Sequence, residues 1–290
     1  MSKLNRSRWM MIASMTIFGT IGIFVRSVPL PSGELALCRA VMAALILGIY
    51  LLVSGQPISV SASKKELPLL LLSGFALGVN WILLFEAYKF TTVSAATLSY
   101  YFAPVIVTAL SPLLFREKLT SKQIFCFVMS TLGIVMITGL QPGSSVTDLK
   151  GICFGLGAAV FYASVILLNK RIQNTQAIHR TVLQFFSAAI TLLPYVIMTG
   201  GFHLHELDWL GWGNLLIVGS VHTGLAYCLY FAALSALPGQ NAAVLSYIDP
   251  LVAVILSVLF LGEPMTLLQL TGGALILGFT LLNELSSTKN

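Results

Sequence analysis

The sequence predicts an all-α membrane protein in which ten transmembrane helices form two inverted five-helix repeats. Three observations predict it. The chain is 57% hydrophobic and only 9% charged, with a mean hydropathy of +0.91, whereas soluble domains carry about 25% charged residues. So few charges cannot cover a water-facing surface, and lipid must face most of it. Second, the chain repeats itself at an offset of about 146 residues. Tyr101, Pro104, Leu110, Ser111, Leu113, Glu117, Thr120 and Gln123 recur in order as Tyr247, Pro250, Leu256, Ser257, Leu259, Glu263, Thr266 and Gln269. Gly78, Phe85, Ala87 and Ala96 match Gly224, Phe231, Ala233 and Ala242 in the same way. Third, the basic residues sort to one side of the apolar spans.

Apolar stretches near the roughly 20 residues that cross a bilayer place the helices in order. The first half holds Trp9–Val25, Leu35–Val53, Leu67–Tyr88, Ser94–Phe115 and Lys122–Leu140. The second holds Leu149–Leu168, His179–Thr199, Trp209–Ala232, Asn241–Leu261 and Thr266–Asn283. Residues 1–140 form the first repeat and 141–290 the second, joined by the polar linker Gln141-Pro-Gly-Ser-Ser145. Lys3, Arg6 and Arg8 precede the first apolar run as in a secretory signal, but further spans follow, so it reads as a retained helix.

Charge placement supports this count. With the N-terminus inside, Lys3, Arg6, Arg8, Lys64, Lys65, Arg116, Lys118, Lys122, Lys170, Arg171, Arg180 and Lys289 lie on the cytoplasmic side. Arg26, Arg39, Lys89 and Lys150 lie outside. That bias follows the positive-inside rule and puts both termini in the cytoplasm. An odd number of helices per repeat makes the second enter from the opposite side. Inverted repeats of this kind build carriers with one gate toward each face.

Local signals set the helix ends. Thr120-Ser-Lys-Gln123 and Thr266-Leu-Leu-Gln269 are matching Thr-x-x-Gln capping boxes, each opening the fifth helix of its half. Glu117 and Glu263 sit in the preceding tight turns, where a carboxylate favours the next helix N-terminus. Pro57 and Pro142 mark polar connectors. Gly74-x-x-x-Gly78 and Gly151-x-x-x-Gly155 allow close helix packing. Cys38, Cys126, Cys153 and Cys228 are scattered singly and read as small buried residues.

The paired Tyr-x-x-Pro of each fourth helix and the Glu-Lys-Leu-Thr and Glu-Pro-Met-Thr turns resemble the EamA family of the drug/metabolite transporter superfamily. The resemblance covers residues 9–283. Arg39 after Leu-Ala-Leu-Cys matches the family's first-repeat pattern, and Gln184 stands near that place in the second. The resemblance implies a ten-helix secondary carrier with a central cavity, often an exporter of amino acids or other small metabolites. Asp249 departs from the family pattern, which commonly has an apolar residue before the helix-nine proline.

Asp249 heads the candidate residues. A carboxylate about nine residues into a span is costly unless it faces a cavity or a partner, and Pro250 beside it removes a backbone hydrogen bond. It reads as a proton-coupling group or a counter-ion for a cationic substrate, against a purely structural pairing. Pro104 and Pro250 break two matching helices, the strongest pointer to a binding site in such a repeat, and Tyr101 and Tyr247 precede them. Trp81 and Tyr227 correspond across the repeat, with Asn80 alongside, and would line the cavity and stack on substrates; packing is the competing role. His222 reads either as a group titrating near neutrality or as a structural histidine. Arg39 and Glu86, near the outer ends of helices two and three, either pair at an outer gate or snorkel to the interface.

No nucleotide-binding Gly-x-x-x-x-Gly-Lys-Ser/Thr loop is present, so transport would run on a solute or ion gradient. His203-Leu-His205-Glu206-Leu-Asp208 invites a metal reading, but no second ligand set with zinc spacing accompanies it. No metal or cofactor is expected. An exporter using alternating access across the cytoplasmic membrane is the first reading, with an uptake carrier of the same fold as alternative. An intramembrane enzyme acting on lipid-linked substrates is weaker, because neither His-Glu-x-x-His nor Gly-x-Ser-x-Gly occurs. The expected partners are a small-molecule substrate and the lipid bilayer, with no nucleic acid; the protein would be a monomer or homodimer.

Overall fold

Apolar sequence of this density must satisfy its backbone polar groups internally, and it does so with helices. The computed structural model describes residues 3–55, 65–115, 119–138, 146–234, 237 and 239–287. Among these residues the secondary structure is helical, with no strand. Pro57, Lys64, Arg116, Glu117, Lys118, Pro142, the linker 141–145 and Lys289 lie outside them.

The helices are α1 (Lys3–Arg26), α2 (Ser32–Val53), α3 (Leu67–Phe90), α4 (Val93–Tyr100) and α5 (Ala103–Phe115). After α6 (Ser121–Thr138) come α7 (Val146–Arg171), α8 (Ala177–Met198) and a short turn over Leu204–Glu206. A π-helical segment, Ile217–Leu225, joins α9 (Trp209–Leu216) to α10 (Ala226–Leu234). The chain ends with α11 (Gly239–Ser246), α12 (Ile248–Phe260) and α13 (Leu267–Ser287). Seven helical stretches among the described residues are long and apolar enough to cross a membrane. Ser121–Ile137, Val244–Phe260 and Leu267–Asn283 are shorter apolar helices. The protein is a multi-pass membrane protein.

Both expected capping boxes form. Thr120 N donates to Gln123 Oε1 at 2.8 Å and Gln123 N to Thr120 Oγ1 at 3.2 Å. The corresponding Thr266–Gln269 bonds are 3.0 and 3.2 Å. The spans expected at Ser94–Phe115 and Asn241–Leu261 are each two helices rather than one kinked helix. Proline lacks an N–H and its ring clashes with the carbonyl four residues earlier. Four residues before Pro104 and Pro250 stand Tyr100 and Ser246, where α4 and α11 end.

The halves of the chain are interlocked. α3 packs on α7 and α8, α2 on α8, and α1 on α10, α12 and the π segment. α4 and α5 pack on α7, and α4 also meets α12. α6 lies along α13, where a Cβ added at Gly133 would stand 2.6 Å from the Gly272 carbonyl oxygen, and the reverse holds too. Gly74 and Gly151 likewise abut Ser187 and Thr91.

Buried carboxylates tie loops at the two ends. Glu66, before α3, accepts hydrogen bonds from the Gln173 and Asn174 amides at 2.8 and 2.9 Å, and from Thr175 Oγ1 at 2.7 Å. These donors, the Asn174 amide foremost, hold its carboxyl below the usual glutamate range. At the other end Glu34 accepts from the His203 amide at 2.9 Å. Glu263 does more than hold its turn. It pairs with Arg26 and accepts from Ser257 Oγ and from the Val93 amide at 2.8 Å.

Candidate functional site

The helix breaks and the crossing of the two halves enclose a cavity of about 320 Å³. α1, α2, α3, α4, α5, α7, α10, α11 and α12 all contribute to its wall. Arg39 and Asp249 are the charged side chains that line it. Seven of the chain's nine tyrosines line it too: Tyr88, Tyr100, Tyr101, Tyr162, Tyr227, Tyr230 and Tyr247. Rings with polar tips give an interior that is mostly apolar yet supplies hydrogen-bonding groups.

Asp249 lies in the first turn of α12, where the helix dipole favours a negative charge. Its Oδ2 accepts a 2.6 Å hydrogen bond from the Tyr101 hydroxyl. The two broken helices therefore meet through their matched breaks: one supplies the phenol, the other the carboxylate. Ala103, the residue 146 positions before Asp249, also lines the cavity but carries no charge. Gly19 of α1 lets the helices come together here. A Cβ at that position would stand 2.6 Å from the Asp249 carbonyl oxygen.

Arg39 is 5% exposed and projects from the second turn of α2. Its guanidinium carbon stands 4.3 Å from the Trp81 ring centroid and 5.8 Å from that of Phe85. Its Nε donates to Thr223 Oγ1 at 2.9 Å. Stacking and one neutral hydrogen bond hold the cation without neutralising it. Among the described residues, no salt bridge joins Arg39 to Asp249. The second half has no equivalent cation: Gln184 is instead bonded to Asn169 Oδ1 at 2.6 Å and to Ser73.

Of the residues the sequence singled out, Trp81, Tyr101, Tyr227, Tyr247, Asp249, Arg39 and Pro104 share this cavity. Phe185 bridges Trp81 and Tyr227, with ring centroids 5.4 and 5.3 Å away. The others lie elsewhere. Asn80 is fully buried and donates to the Ala158 carbonyl at 2.7 Å, because one helical step turns it from the Trp81 face toward α7. Pro250 is buried behind the wall. Of the two readings given for Arg39 and Glu86, pairing at an outer gate or snorkelling to the interface, neither describes Arg39, which is buried. Arg39 points inward onto Trp81, while Glu86 pairs with Lys89 one turn away at 3.1 Å.

His222 also lies outside the cavity wall, 1% exposed. Its Nε2 is 2.7 Å from Thr20 Oγ1, its Nδ1 3.2 Å from the Ile217 carbonyl, and its ring packs on Phe24. It reaches the site through its neighbour Thr223, the acceptor for Arg39. A π segment of nine residues is unusually long and such turns recur at functional sites. In the loop after α8, His203 Nδ1 approaches Glu34 at 3.1 Å and Asp208 caps α9 through the Gly211 amide at 2.7 Å.

Sequence reasoning missed Tyr88, Tyr162, Tyr230, Thr97 and Thr223. The signal available was tyrosine placement, since only Tyr50 and Tyr195 lie away from the cavity.

The model of the EamA-like transporter family matches twice, at residues 6–139 and 149–284. The uncharacterized transporter YxxF of Bacillus subtilis (strain 168) is 35% identical, covering 92% of this chain and 85% of that protein. A protein of Salmonella typhimurium described as a probable amino-acid metabolite efflux pump is 26% identical over 82% of this chain and 84% of its own. A solved crystal structure superposes with a TM-score of 0.67 at 15% identity, covering 97% of this chain and 98% of the other. At that identity it speaks for the fold alone.

Proposed function

The chain belongs to the EamA-like transporter family, and from that premise we propose that it is a secondary-active exporter of amino acids or other small zwitterionic metabolites. It works by alternating access across the cytoplasmic membrane and is not an enzyme. The reading includes ten spans in two inverted five-helix repeats, residues 1–140 and 141–290, with both termini cytoplasmic. The duplicated family match and the interlocked packing of the halves support it.

One observation carries the substrate class: a cavity walled by aromatic rings holds one cation and one anion that no salt bridge joins among the described residues. A zwitterion complements both. Its carboxylate would meet the Arg39 fork, which suits planar oxyanions. Its ammonium would meet Asp249 and the surrounding ring faces. A volume of about 320 Å³ lies at the small end of ligand pockets, about 300–1,000 Å³, and suits a single small metabolite.

The same arrangement supplies a coupling mechanism. Asp249 binds either a proton or the substrate's ammonium, so entry of one expels the other. Reorientation of the two halves between the exchanges then drives export on the inward proton gradient. The broken helices at Tyr101 and Tyr247 give the backbone its points of flexure.

The test is efflux from proteoliposomes loaded with labelled amino acids, with and without an imposed proton gradient. Saturable efflux that responds to the gradient supports the reading. Unchanged leucine, threonine and phenylalanine content under every gradient would refute it.

A further inference from the structure

A second cavity of about 240 Å³ lies at the end of the bundle where α1 stops and α2 begins. It is separate from the site above, yet Tyr88 lines both. Its walls include the apolar Leu35 and Phe85, and its polar groups come from Arg26, Lys89 and Ser32.

Ser32 is 2% exposed, and its Oγ is buried with no hydrogen-bond partner among the described residues. A buried hydroxyl without a partner, in a residue that lines a cavity, calls for one that the protein itself does not supply. Arg26 spends its Nε on the Tyr88 carbonyl at 3.1 Å and another arm on Glu263. Its Nη2 makes no hydrogen bond among the described residues. Lys89 uses one of its three donors on Glu86. Glu34, in the same first turn as Ser32, is turned to His203 with both oxygens. The cavity therefore presents N–H and O–H donors against an apolar wall.

We propose that this cavity is a second subsite that takes the carboxylate of an apolar-tailed solute, one step from the central site past Tyr88. It rests on the exporter reading for its place in transport, but not for its binding chemistry. The carboxylate would bridge Arg26 Nη2, Lys89 and Ser32 Oγ, while an aliphatic tail lies on Leu35 and Phe85. Tyr88 is the partition. Its hydroxyl stands 3.4 Å from Thr97 Oγ1 on the central side, and its carbonyl is held by Arg26 on the other. Rotation of this one ring would join the two chambers.

The test measures thermal stability of the full chain purified in neutral detergent, with isovalerate and 3-methylbutanamide as probes. Isovalerate is expected to raise Tm by about 2–4 °C at concentrations well above its Kd, and the neutral amide to leave it unchanged. The rise should vanish in the Ser32→Ala, Lys89→Gln double variant. Should that variant fail to fold, Lys89→Gln alone, at a side chain 45% exposed, is expected to lose at least half of it. No rise in the parent, an equal rise with the amide, or a rise retained in these variants overturns the proposal. Repeating the measurement with added phosphatidylglycerol separates a second source of the same chemistry. If that lipid abolishes the isovalerate effect and itself stabilises the parent but not the variants, the cavity holds a headgroup and the solute assignment falls. Proteoliposome efflux by the parent judges the exporter reading independently of this shift.

Discussion

Tyr101 and Asp249 stand 148 residues apart in sequence and share a 2.6 Å hydrogen bond at the meeting of two helix breaks. A bond from a phenol to a carboxylate contributes about 1.5–3 kcal/mol and fixes the direction in which Asp249 faces the cavity. Asp249→Asn keeps the shape and removes the charge. It is expected to abolish proton-driven efflux while the protein still elutes as a folded species. Tyr101→Phe should retain transport with about tenfold weaker substrate binding, about 1.4 kcal/mol. Full gradient-driven efflux by Asp249→Asn would remove the carboxylate from the mechanism.

Arg39 is held by a ring face and one hydroxyl, a geometry that lysine cannot reproduce because its charge is a point rather than a plane. Arg39→Lys is expected to weaken binding of leucine at least tenfold and to leave isopentylamine, which has no carboxylate, nearly unaffected. Trp81→Phe should show a smaller loss in the same direction. Titration calorimetry of both ligands distinguishes the outcomes; equal losses would mean that Arg39 serves only the fold.

The Glu66 clasp carries a pH dependence of known sign. Its folded-state pKa is lowered from 4.5 by the Asn174 and Gln173 amides and the Thr175 hydroxyl. The stabilisation is thus complete above pH 4.5 and is lost as pH falls below that value through the lowered one. Glu66→Gln should reduce Tm at pH 7 and flatten the decline of Tm on acidification from pH 5. Identical Tm–pH curves for the variant and the parent would show that the clasp contributes nothing.

Gly19 tests the packing of α1 on the Asp249 segment. Even one methyl group would stand 2.6 Å from the Asp249 carbonyl oxygen and 2.7 Å from Val252 Cβ. Gly19→Ala is expected to destabilise by about 1–3 kcal/mol, as overpacking does, and to weaken substrate binding. Gly48, which has nothing within 4 Å of an added Cβ, is the control, and Gly48→Ala should leave both unchanged. A parental Tm and affinity in Gly19→Ala would refute the close approach.

Much of the molecule was legible in the chain. Hydropathy located the apolar helices, the Thr-x-x-Gln boxes marked two helix starts, and Pro104 and Pro250 marked the broken helices. Each of these is a local rule, in which a side chain acts on its own backbone within four residues. Asp249 stood out for the same reason, since a carboxylate in apolar sequence is conspicuous wherever it points. Asn80 turns to the Ala158 carbonyl and Glu86 to Lys89, because a helix turns its side chains by about 100° per residue. Neighbours in sequence such as Asn80 and Trp81 therefore face different partners.

By itself, then, the sequence determined that this protein is a set of apolar helices carrying an internal sequence repeat, with breaks at two matching prolines and a lone acid beside one of them. Only the tertiary structure decided that Arg39 turns inward onto Trp81 and that seven tyrosines converge on one chamber. It alone revealed a second chamber beyond Tyr88. The physical reason is the uniform hydrophobicity of the spans. When nearly every face of a helix is apolar, periodicity does not distinguish lipid from protein neighbours. The choice falls to close packing at small residues such as Gly19 and Gly133, and that depends on what the other helices bring to the contact.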